Sequence, residues 1–443
     1  MKHFISSLYF SKRVYIILYG LSGFFLLSFW FSTLFLISWG LLIIFITILL
    51  SDLIRLYIGT KFSASRILPD KFSNSDANRV ELRFQNQYLL PIRLEIIDEI
   101  PVQFQKRDFL KIISMPRLST KRFTYTLTPL KRGVYTFGYL NCYVSTALQL
   151  IKRRYRFEAK LDVKVYPSFI QMRALDFLSI DQKMSQYGMK KIRKIGHTME
   201  FEQIKNYVIG DDIRTINWKA TAKQNNLMVN QYQDEKSQPI YTIIDMGRVM
   251  KMPFEGLSLL DYAINSSLAF SNIALKKKDK VGMLTFSNSV ENFVPAKAKK
   301  THLNTLLETL YGIETNFLVS DFNRLYAHNK RRITQRSLLM LYTNFEHLNS
   351  LKRQMPYLKA LSKSHLLVVI FFENTELDEL ASKPATKLTE IYEKTIAKEF
   401  IYNKQLMVKE LERHGIQTVL TPPKALSVNT INKYLEIKAR GLI

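Results

Sequence analysis

Two adjacent carboxylates in the middle of the chain have the clearest capacity for chemistry. Asp211 and Asp212 follow Gly210 and precede Arg214, in a stretch typical of a turn. A carboxylate that caps a turn and pairs with a guanidinium pins a loop against its domain. Paired carboxylates also hold magnesium, but two-metal chemistry needs another acidic strand, which the sequence does not place. We therefore expect a structural clamp with Trp218 as its apolar anchor, and keep partner docking and metal-dependent catalysis as alternatives.

Other arrangements of catalytic residues are missing from the sequence. The seven histidines include no H-E-x-x-H motif, and neither G-x-S-x-G nor a phosphate-binding P-loop occurs. Cys142 is the single cysteine, which excludes an intrachain disulfide and a cysteine-based zinc or iron–sulfur site. We expect a protein that is not an enzyme and that carries no cofactor.

The chain is strongly basic, with a formal net charge of +27 over 443 residues. Its positive runs are 152–154, 190–191, 193–194, 276–278, 299–300 and 330–332. Such runs attract nucleic acid, or an anionic membrane surface at ~1 kcal/mol per basic residue. Because no nucleic-acid motif accompanies them, the sequence favours membrane lipid as the partner of this basic surface, with nucleic-acid binding as the weaker alternative.

The N-terminal region predicts a membrane anchor. No charged residue occurs from Val14 to Leu50, a run whose helix would be ~55 Å long against a hydrocarbon core of ~30 Å. We expect two crossings with a turn near 29–33; a single long tilted helix is the alternative. A cleaved signal peptide is disfavoured, since its apolar region is only ~7–15 residues long. Basic residues flank the run on both sides, which predicts both ends and the bulk of the chain in the cytoplasm.

Beyond the apolar run, the hydrophobic pattern divides the chain into two kinds of domain. Val80, Leu82 and Phe84 alternate with polar residues, and similar runs up to residue 166 predict a β-sandwich. From residue 240 onward, apolar runs alternate with amphipathic helices, which predicts a doubly wound α/β domain with a mostly parallel sheet. Ligands bind at the carboxyl ends of such strands, where Asp245, Thr315 and Asn344 are expected.

The most distinctive text in the chain runs from Glu200 to Lys223 and reads EFEQIKNYVIGDDIRTINWKATAK. This segment resembles the signature of the bacterial domain of unknown function 58 family, E-F-x-x-L-R-x-Y-x-x-G-D-D-x-R-x-I-x-W-x-x-S-A-R. The segments 129–138 and 165–167 also match the pattern of that family. The residues that carry the resemblance, as partner-docking or clamp positions, are Glu200, Phe201, Tyr207, Gly210, Asp211, Asp212, Arg214, Asn217 and Trp218.

The resemblance implies an organisation and a function. It implies a membrane helical hairpin with a cytoplasmic N-terminus (1–60), a β-sandwich (61–167), a signature linker (168–238) and a von Willebrand factor A-like α/β domain (239–443). The implied function is that of a non-enzymatic scaffold or adaptor in the bacterial inner membrane, multi-pass, with most of the chain in the cytoplasm. The implied partner is a MoxR-type AAA+ ATPase.

The same resemblance allows a test for a metal site. Von Willebrand factor A domains often carry an Asp-x-Ser-x-Ser element, with a threonine and an aspartate from later loops, that binds magnesium. Here Asp245 is followed by Gly247 and Val249 in place of the serines, and Asn344 replaces the later aspartate. Thr315 is expected at the threonine position, and Arg248 adds a cation beside the site. With so few hard ligands, we expect no metal at this position. A metal-dependent enzyme built on Asp211, Asp212 and Asp245 is the rival hypothesis.

Overall fold

The computed structural model describes residues 6–57, 62–157, 161–172, 200–209, 211–224, 226–233, 238–315, 317–384 and 387–442. The chain divides into two compact units, Met1–Tyr166 and Pro167–Ile443. The first contains an apolar helix and is otherwise rich in sheet, and the second is an α/β unit.

Two consecutive helices follow a short first strand, β1 (Leu8–Phe10). They are α1 (Lys12–Leu27) and α2 (Ser32–Tyr57), and Phe25 of the first packs edge-on against Phe35 and Trp39 of the second. By length and composition, Thr33–Tyr57 is the one helix among the described residues that could cross a membrane, with a mean hydropathy of 2.6. Helix α1 has 16 residues, fewer than the ~20 that a perpendicular crossing needs.

Ten further strands complete the first unit. They are β2 (Phe62–Ile67), β3 (Lys71–Ser73), β4 (Asn78–Asn86), β5 (Ile92–Asp98), β6 (Leu110–Met115), β7 (Thr120–Leu127), β8 (Gly133–Phe137), β9 (Leu140–Ser145), β10 (Ile151–Phe157) and β11 (Leu161–Tyr166). They form sheets of order β1-β10-β9-β5-β6, β2-β4-β7 and β3-β11-β8. The predicted inward alternation of Val80, Leu82 and Phe84 is confirmed, since all three are buried.

The chain changes sheets at Gly138, between β8 and β9. A side chain at that position would place its Cβ 2.4 Å from Oε2 of Glu99. The Glu99 carboxylate accepts the N–H of Tyr139 at 2.8 Å. Glycine therefore allows the close approach that separates β8 from β9.

A buried ion pair joins the sheets of this unit. Arg66 of β2 donates to the carboxylate of Asp98 in β5 and to the carbonyl of Gly138 at 3.1 Å. Tyr125 of β7 donates its hydroxyl to the same carboxylate. Burial raises the pKa of Asp98, while the Arg66 charge and the Tyr125 hydrogen bond oppose that rise. The pair links β2, β5 and β7, and removing either partner would leave a buried charge.

The end of α2 is built into the same unit. Asp52 is fully buried, and its carboxylate accepts the Thr146 hydroxyl and the N–H of Ile151 at 3.1 Å. One turn later, the carbonyl of Leu56 accepts the hydroxyl of Tyr88 at 3.2 Å. Leu56 itself belongs to the hydrophobic core of the sheets. The apolar helix and the sheets therefore share one core.

A hairpin in the second unit carries the signature segment. Strands β12 (Glu200–Asn206) and β13 (Met228–Gln233) pair antiparallel. A single 3₁₀ turn (Ile213–Thr215) and the short helix α3 (Trp218–Gln224) lie between them in the chain.

A six-stranded sheet forms the centre of the α/β unit. Its strands are β14 (Pro239–Asp245), β17 (Lys280–Phe286), β18 (Val290–Lys297), β19 (Leu338–Tyr342), β20 (Leu366–Phe372) and β21 (Gln417–Thr421), in the order β18-β17-β14-β19-β20-β21. Every neighbouring pair is parallel except β17 and β18. The short strands β15 (Pro253–Phe254) and β16 (Leu257–Ser258) form a separate ribbon.

Helices cover both faces of this sheet, since separate hydrophobic cores lie on its two sides. The helices are α4 (Leu259–Lys276), α5 (His302–Tyr311), α6 (Phe322–Arg332), α7 (Leu348–Ser364), α8 (Thr375–Ser382), α9 (Leu388–Arg413) and α10 (Leu426–Ala439). The sequence did not predict β18, α6 or α8. Strand β18 is a half-exposed edge strand containing Pro295, a residue that a central strand excludes because it cannot donate to the ladder.

We expect Thr146→Val to destabilise the first unit by about 1.5–3 kcal/mol, because the buried Asp52 carboxylate loses its hydroxyl donor. Thr146→Ser keeps the hydroxyl and is the control. Thermal unfolding of the full chain in detergent measures the difference, and equal stability of the valine and serine variants would contradict the role of this bond.

Candidate functional site

The two signature carboxylates organise the turn that follows β12. Asp211 accepts a hydrogen bond from the ammonium of Lys205 at 3.0 Å and from the N–H of Val208 at 3.1 Å. The Lys205 bond, assisted by that of Val208, holds the pKa of Asp211 below its usual value. Asp212 caps the 3₁₀ turn by accepting the N–H of Arg214 at 3.0 Å. Both carboxylates are thus used in local structure.

The predicted pairing of these carboxylates with the Arg214 guanidinium is wrong. Asp211 pairs with Lys205 on β12, and Asp212 meets only the backbone N–H of Arg214. Two residues beyond that cap, the side chain of Arg214 is exposed. A loop clamp by a carboxylate and an arginine is therefore not what this segment forms.

Asn217 fixes the short helix α3 to the hairpin. Its side-chain oxygen accepts the N–H of Ala220 at 3.0 Å, and its side-chain amide donates to Asn230 Oδ1 at 2.9 Å. Thr221 donates its hydroxyl to the Asn217 carbonyl and accepts the N–H of Met228. The polar residues of the signature therefore satisfy one another within the hairpin.

Large apolar residues of the hairpin are exposed to solvent. Trp218 is 71% exposed, so its predicted role as a buried anchor is wrong. Ile209 is 96% exposed, and the other large exposed apolar side chains between the strands are Val208, Ile213 and Leu227. We call these five residues the apolar hairpin surface. An exposed apolar cluster on a hydrogen-bonded frame is typical of a contact surface for another molecule.

Among the remaining signature residues, Tyr207, Glu200 and Phe201 take part in the hairpin through their backbones. The backbone N–H of Tyr207 donates to the carbonyl of Leu227 at 2.8 Å and closes the hairpin. Glu200 and Phe201 lie in β12 through their backbones, opposite Gln233 and Tyr232. Gly210 lies outside the described residues.

At the carboxyl edge of the α/β sheet, Asp245 is the centre of a buried polar cluster. Its carboxylate accepts the N–H of Gly247 at 2.8 Å, the hydroxyl of Thr343 at 2.6 Å and the hydroxyl of Ser320. Burial raises the pKa of Asp245, and the hydrogen bonds from Ser320 and Thr343 oppose that rise. Both oxygens of this carboxylate therefore already have donors from the protein.

The positions of the predicted adhesion pattern are arranged around this cluster. A Cβ on Gly247 would lie 2.0 Å from the hydroxyl oxygen of Ser320, so a serine at 247 would displace the Ser320 hydroxyl. The hydroxyls that reach Asp245 come from Ser320 and Thr343, and Thr315 is not among its hydrogen-bond partners. The threonine position expected at Thr315 is therefore not the source of a hydroxyl for Asp245. Val249 is partly buried and packs against the hydrophobic core.

Asn344 faces a cation supplied by the protein. Its side-chain oxygen accepts the ammonium of Lys404 at 2.6 Å, and the carbonyl of Phe345 accepts the same ammonium at 2.7 Å. Burial lowers the pKa of Lys404 to about 8. The Lys404 ammonium takes the Asn344 oxygen, and hydroxyl and amide donors take those of Asp245. The residues present do not fit a divalent ion, which needs free oxygen ligands.

The described part of the chain contains no cluster of three or more His, Cys, Asp or Glu side chains that could hold a metal. A cavity of 360 Å³ lies beside Asn344 and Lys404, with Phe254, Phe372 and Phe400 among its lining residues. Sequence reasoning missed Ser320, Thr343 and Lys404. For Thr343 a signal was available, since a hydroxyl directly after a buried strand points into this edge.

Comparison with known proteins gives a family match over the middle of the chain. The family model described as "Protein of unknown function DUF58" matches residues 203–392, and the predicted resemblance to that family is confirmed over this range. The "Uncharacterized protein YeaD" of Bacillus subtilis (strain 168) is 24% identical over 218 residues, which are 47% of this chain and 54% of that protein. The chain thus covers about half of the length of this curated relative.

Similarity to solved structures is distant. The conserved hypothetical protein BatB from Bacteroides thetaiotaomicron is 13% identical with a TM-score of 0.32, over 46% of this chain and 99% of that chain. A PapD-like domain of human CEP192 is 13% identical with a TM-score of 0.19, over 24% of this chain and 85% of that chain.

We expect Gly247→Ala to destabilise the second unit by about 1.5–3 kcal/mol, because its Cβ displaces the Ser320 hydroxyl from the buried Asp245 carboxylate. Gly312→Ala is the control, since a Cβ there meets nothing within 4 Å.

The Gly247→Ala and Ser320→Ala effects should fall short of additivity in the double variant, because both remove the same hydrogen bond. Unfolding of the four proteins in detergent measures this coupling. Fully additive losses would contradict the closed arrangement around Asp245.

Proposed function

We propose that this protein is a membrane-anchored, non-enzymatic scaffold or adaptor that acts through protein–protein contacts. The observation that carries the proposal is the apolar hairpin surface, in which Trp218 and its apolar neighbours face solvent on a frame of satisfied polar groups. Tryptophan is enriched among the residues that dominate binding energy at protein interfaces. The exposure of these side chains favours docking over the structural clamp.

The state of the carboxylates supports a role without catalysis. Asp211 and Asp212 are bound to groups of their own turn, and Asp245 is buried with three protein donors. A metal-dependent enzyme needs carboxylate oxygens that converge on one free point. The alternative of a metal-dependent enzyme built on these three residues therefore receives no support from their contacts.

The proposed partner of the apolar hairpin surface is a MoxR-type AAA+ ATPase. This partner comes from the family resemblance, which includes the signature residues of the hairpin, and is an analogy between relatives. The basic surface is proposed to face anionic membrane lipid, and nucleic-acid binding remains the less favoured alternative.

We also propose that α1 and α2 form a transmembrane hairpin in the bacterial inner membrane, with most of the chain in the cytoplasm. The packing of Phe25 on Phe35 and Trp39 supports a paired arrangement. Basic residues on both flanks favour a cytoplasmic position for both ends. The α/β unit is proposed to be a von Willebrand factor A-like domain, supported by its sheet order and by the aspartate that ends β14.

We expect Trp218→Ser to weaken binding of the purified MoxR-type ATPase of the same organism at least tenfold. The melting temperature of the variant should equal that of the unmutated protein. The physical reason is that an exposed aromatic side chain contributes to an interface and little to the fold. Leu388→Ser is the matched control, because Leu388 is also 71% exposed in the same unit. Calorimetry or surface plasmon resonance in detergent measures the affinity.

Two outcomes of this binding experiment count against the proposal. A melting temperature lowered by several degrees in Trp218→Ser would favour the clamp. No binding of the ATPase by the unmutated protein would refute this choice of partner.

A reporter that is active only outside the cytoplasm should stay silent when fused after Leu442 and become active when inserted at Trp30, between the two helices. The expected pattern follows from the basic flanks of the apolar run. Activity at the C-terminal fusion together with silence at Trp30 would refute the proposed topology.

A further inference from the structure

A second cavity, of 590 Å³, lies in the first unit beside the end of α2. Arg153, Arg154 and Arg156 of β10 contribute to its wall, together with Tyr57, the last residue of α2. Three guanidinium groups in one cavity are a concentration of positive charge that the fold must hold in place.

Aromatic rings hold these guanidinium groups. Arg153 lies over the ring of Tyr57 at 4.4 Å and over that of Tyr155 at 4.7 Å. Arg154 lies over Tyr9 at 5.4 Å. A guanidinium that stacks through its face keeps its N–H groups at the edge, where they can bind a phosphate with two parallel hydrogen bonds.

The third arginine follows the same pattern, since Arg156 lies over the ring of Tyr139 at 4.5 Å. Arg153 also donates one N–H to the carbonyl of Leu56 at 2.7 Å, which anchors it to the end of the helix. The arginines are therefore positioned by rings and by backbone.

The three arginines have no acidic partner in the part of the chain that the structure describes, since no carboxylate there lies within 4.0 Å of any of them. Their neighbour Lys152 differs, because it is neutralised by Glu95 at 2.6 Å. Arg153 and Arg154 are half-buried and Arg156 is exposed, and a half-buried positive charge is stabilised when an anion completes its hydrogen bonds. The cavity thus has the chemistry of an anion site.

The position of the cavity at the end of α2 indicates which kind of anion it binds. Tyr57 ends the apolar segment Thr33–Tyr57, and its hydroxyl lies 3.0 Å from that of Ser7. Tyrosine at the end of a membrane helix lies at the level of the lipid head groups. We propose that this cavity binds the phosphate of an anionic lipid head group, an inference that rests on the proposed membrane anchoring by α2.

The test measures thermal unfolding of the full chain in a zwitterionic detergent with added dioctanoyl phosphatidylglycerol. We expect a concentration-dependent rise in melting temperature that dioctanoyl phosphatidylcholine does not produce. The variant Arg154→Gln/Arg156→Gln should need at least tenfold more phosphatidylglycerol for the same rise. Arg107→Gln/Arg117→Gln is the control, since it makes the same change of charge at exposed positions of the same unit.

Each outcome decides between sources or refutes the site. Equal stabilisation by inorganic phosphate or glycerol phosphate at the same concentration would assign the cavity to a soluble phosphate and refute the lipid source. An unchanged response of Arg154→Gln/Arg156→Gln that keeps its membrane fractionation would refute the site and leave the anchoring intact. If the unmutated protein does not fractionate with membranes, both the anchoring and the lipid site are refuted.

Discussion

A single buried carboxylate sets the arrangement of the carboxyl edge of the α/β sheet. Asp245 lies in a place where a charge is costly unless donors surround it. The donors come from the turn after its own strand and from two residues, Ser320 and Thr343, that lie 75 and 98 positions further along the chain. Satisfying Asp245 therefore joins three loops, and a side chain at Gly247 would displace the Ser320 hydroxyl.

In the signature hairpin, polar side chains form local hydrogen bonds while large apolar side chains are exposed to solvent, which is the reverse of a hydrophobic core. Asp211, Asp212 and Asn217 form hydrogen bonds within the turn and the short helix. Trp218 and Ile209 are exposed to solvent. A segment that buries its polar bonds locally and exposes its large apolar groups gains little stability from those groups. Exposed apolar groups of this kind are typical of a contact surface, which is the basis of the proposed docking.

The sequence predicted those elements whose signal is local. The alternation of apolar runs with helices from residue 240 onward was predicted and is observed, with Leu338–Tyr342 and Leu366–Phe372 as buried strands, because continuous apolar stretches between helices have few other interpretations. The partners of Asp245 could not be predicted, since they depend on loops brought together by the sheet. Trp218 was wrongly expected to be buried because residue type alone does not distinguish a core aromatic side chain from an exposed one. Lys205 was overlooked in favour of Arg214, because proximity in sequence does not measure distance across a hairpin.

The buried junction at Asp52 has a mechanical consequence. Helix α2 has 26 residues and is ~39 Å long, and its last turns are joined to the sheets through Asp52 and Leu56. A rod fixed in this way acts as a lever, so a change in the tilt of α2 swings the sheets through the same angle. Helix tilt follows the thickness of a surrounding bilayer, so if α2 crosses a membrane as proposed, the orientation of the sheet-rich unit would follow the thickness of that membrane.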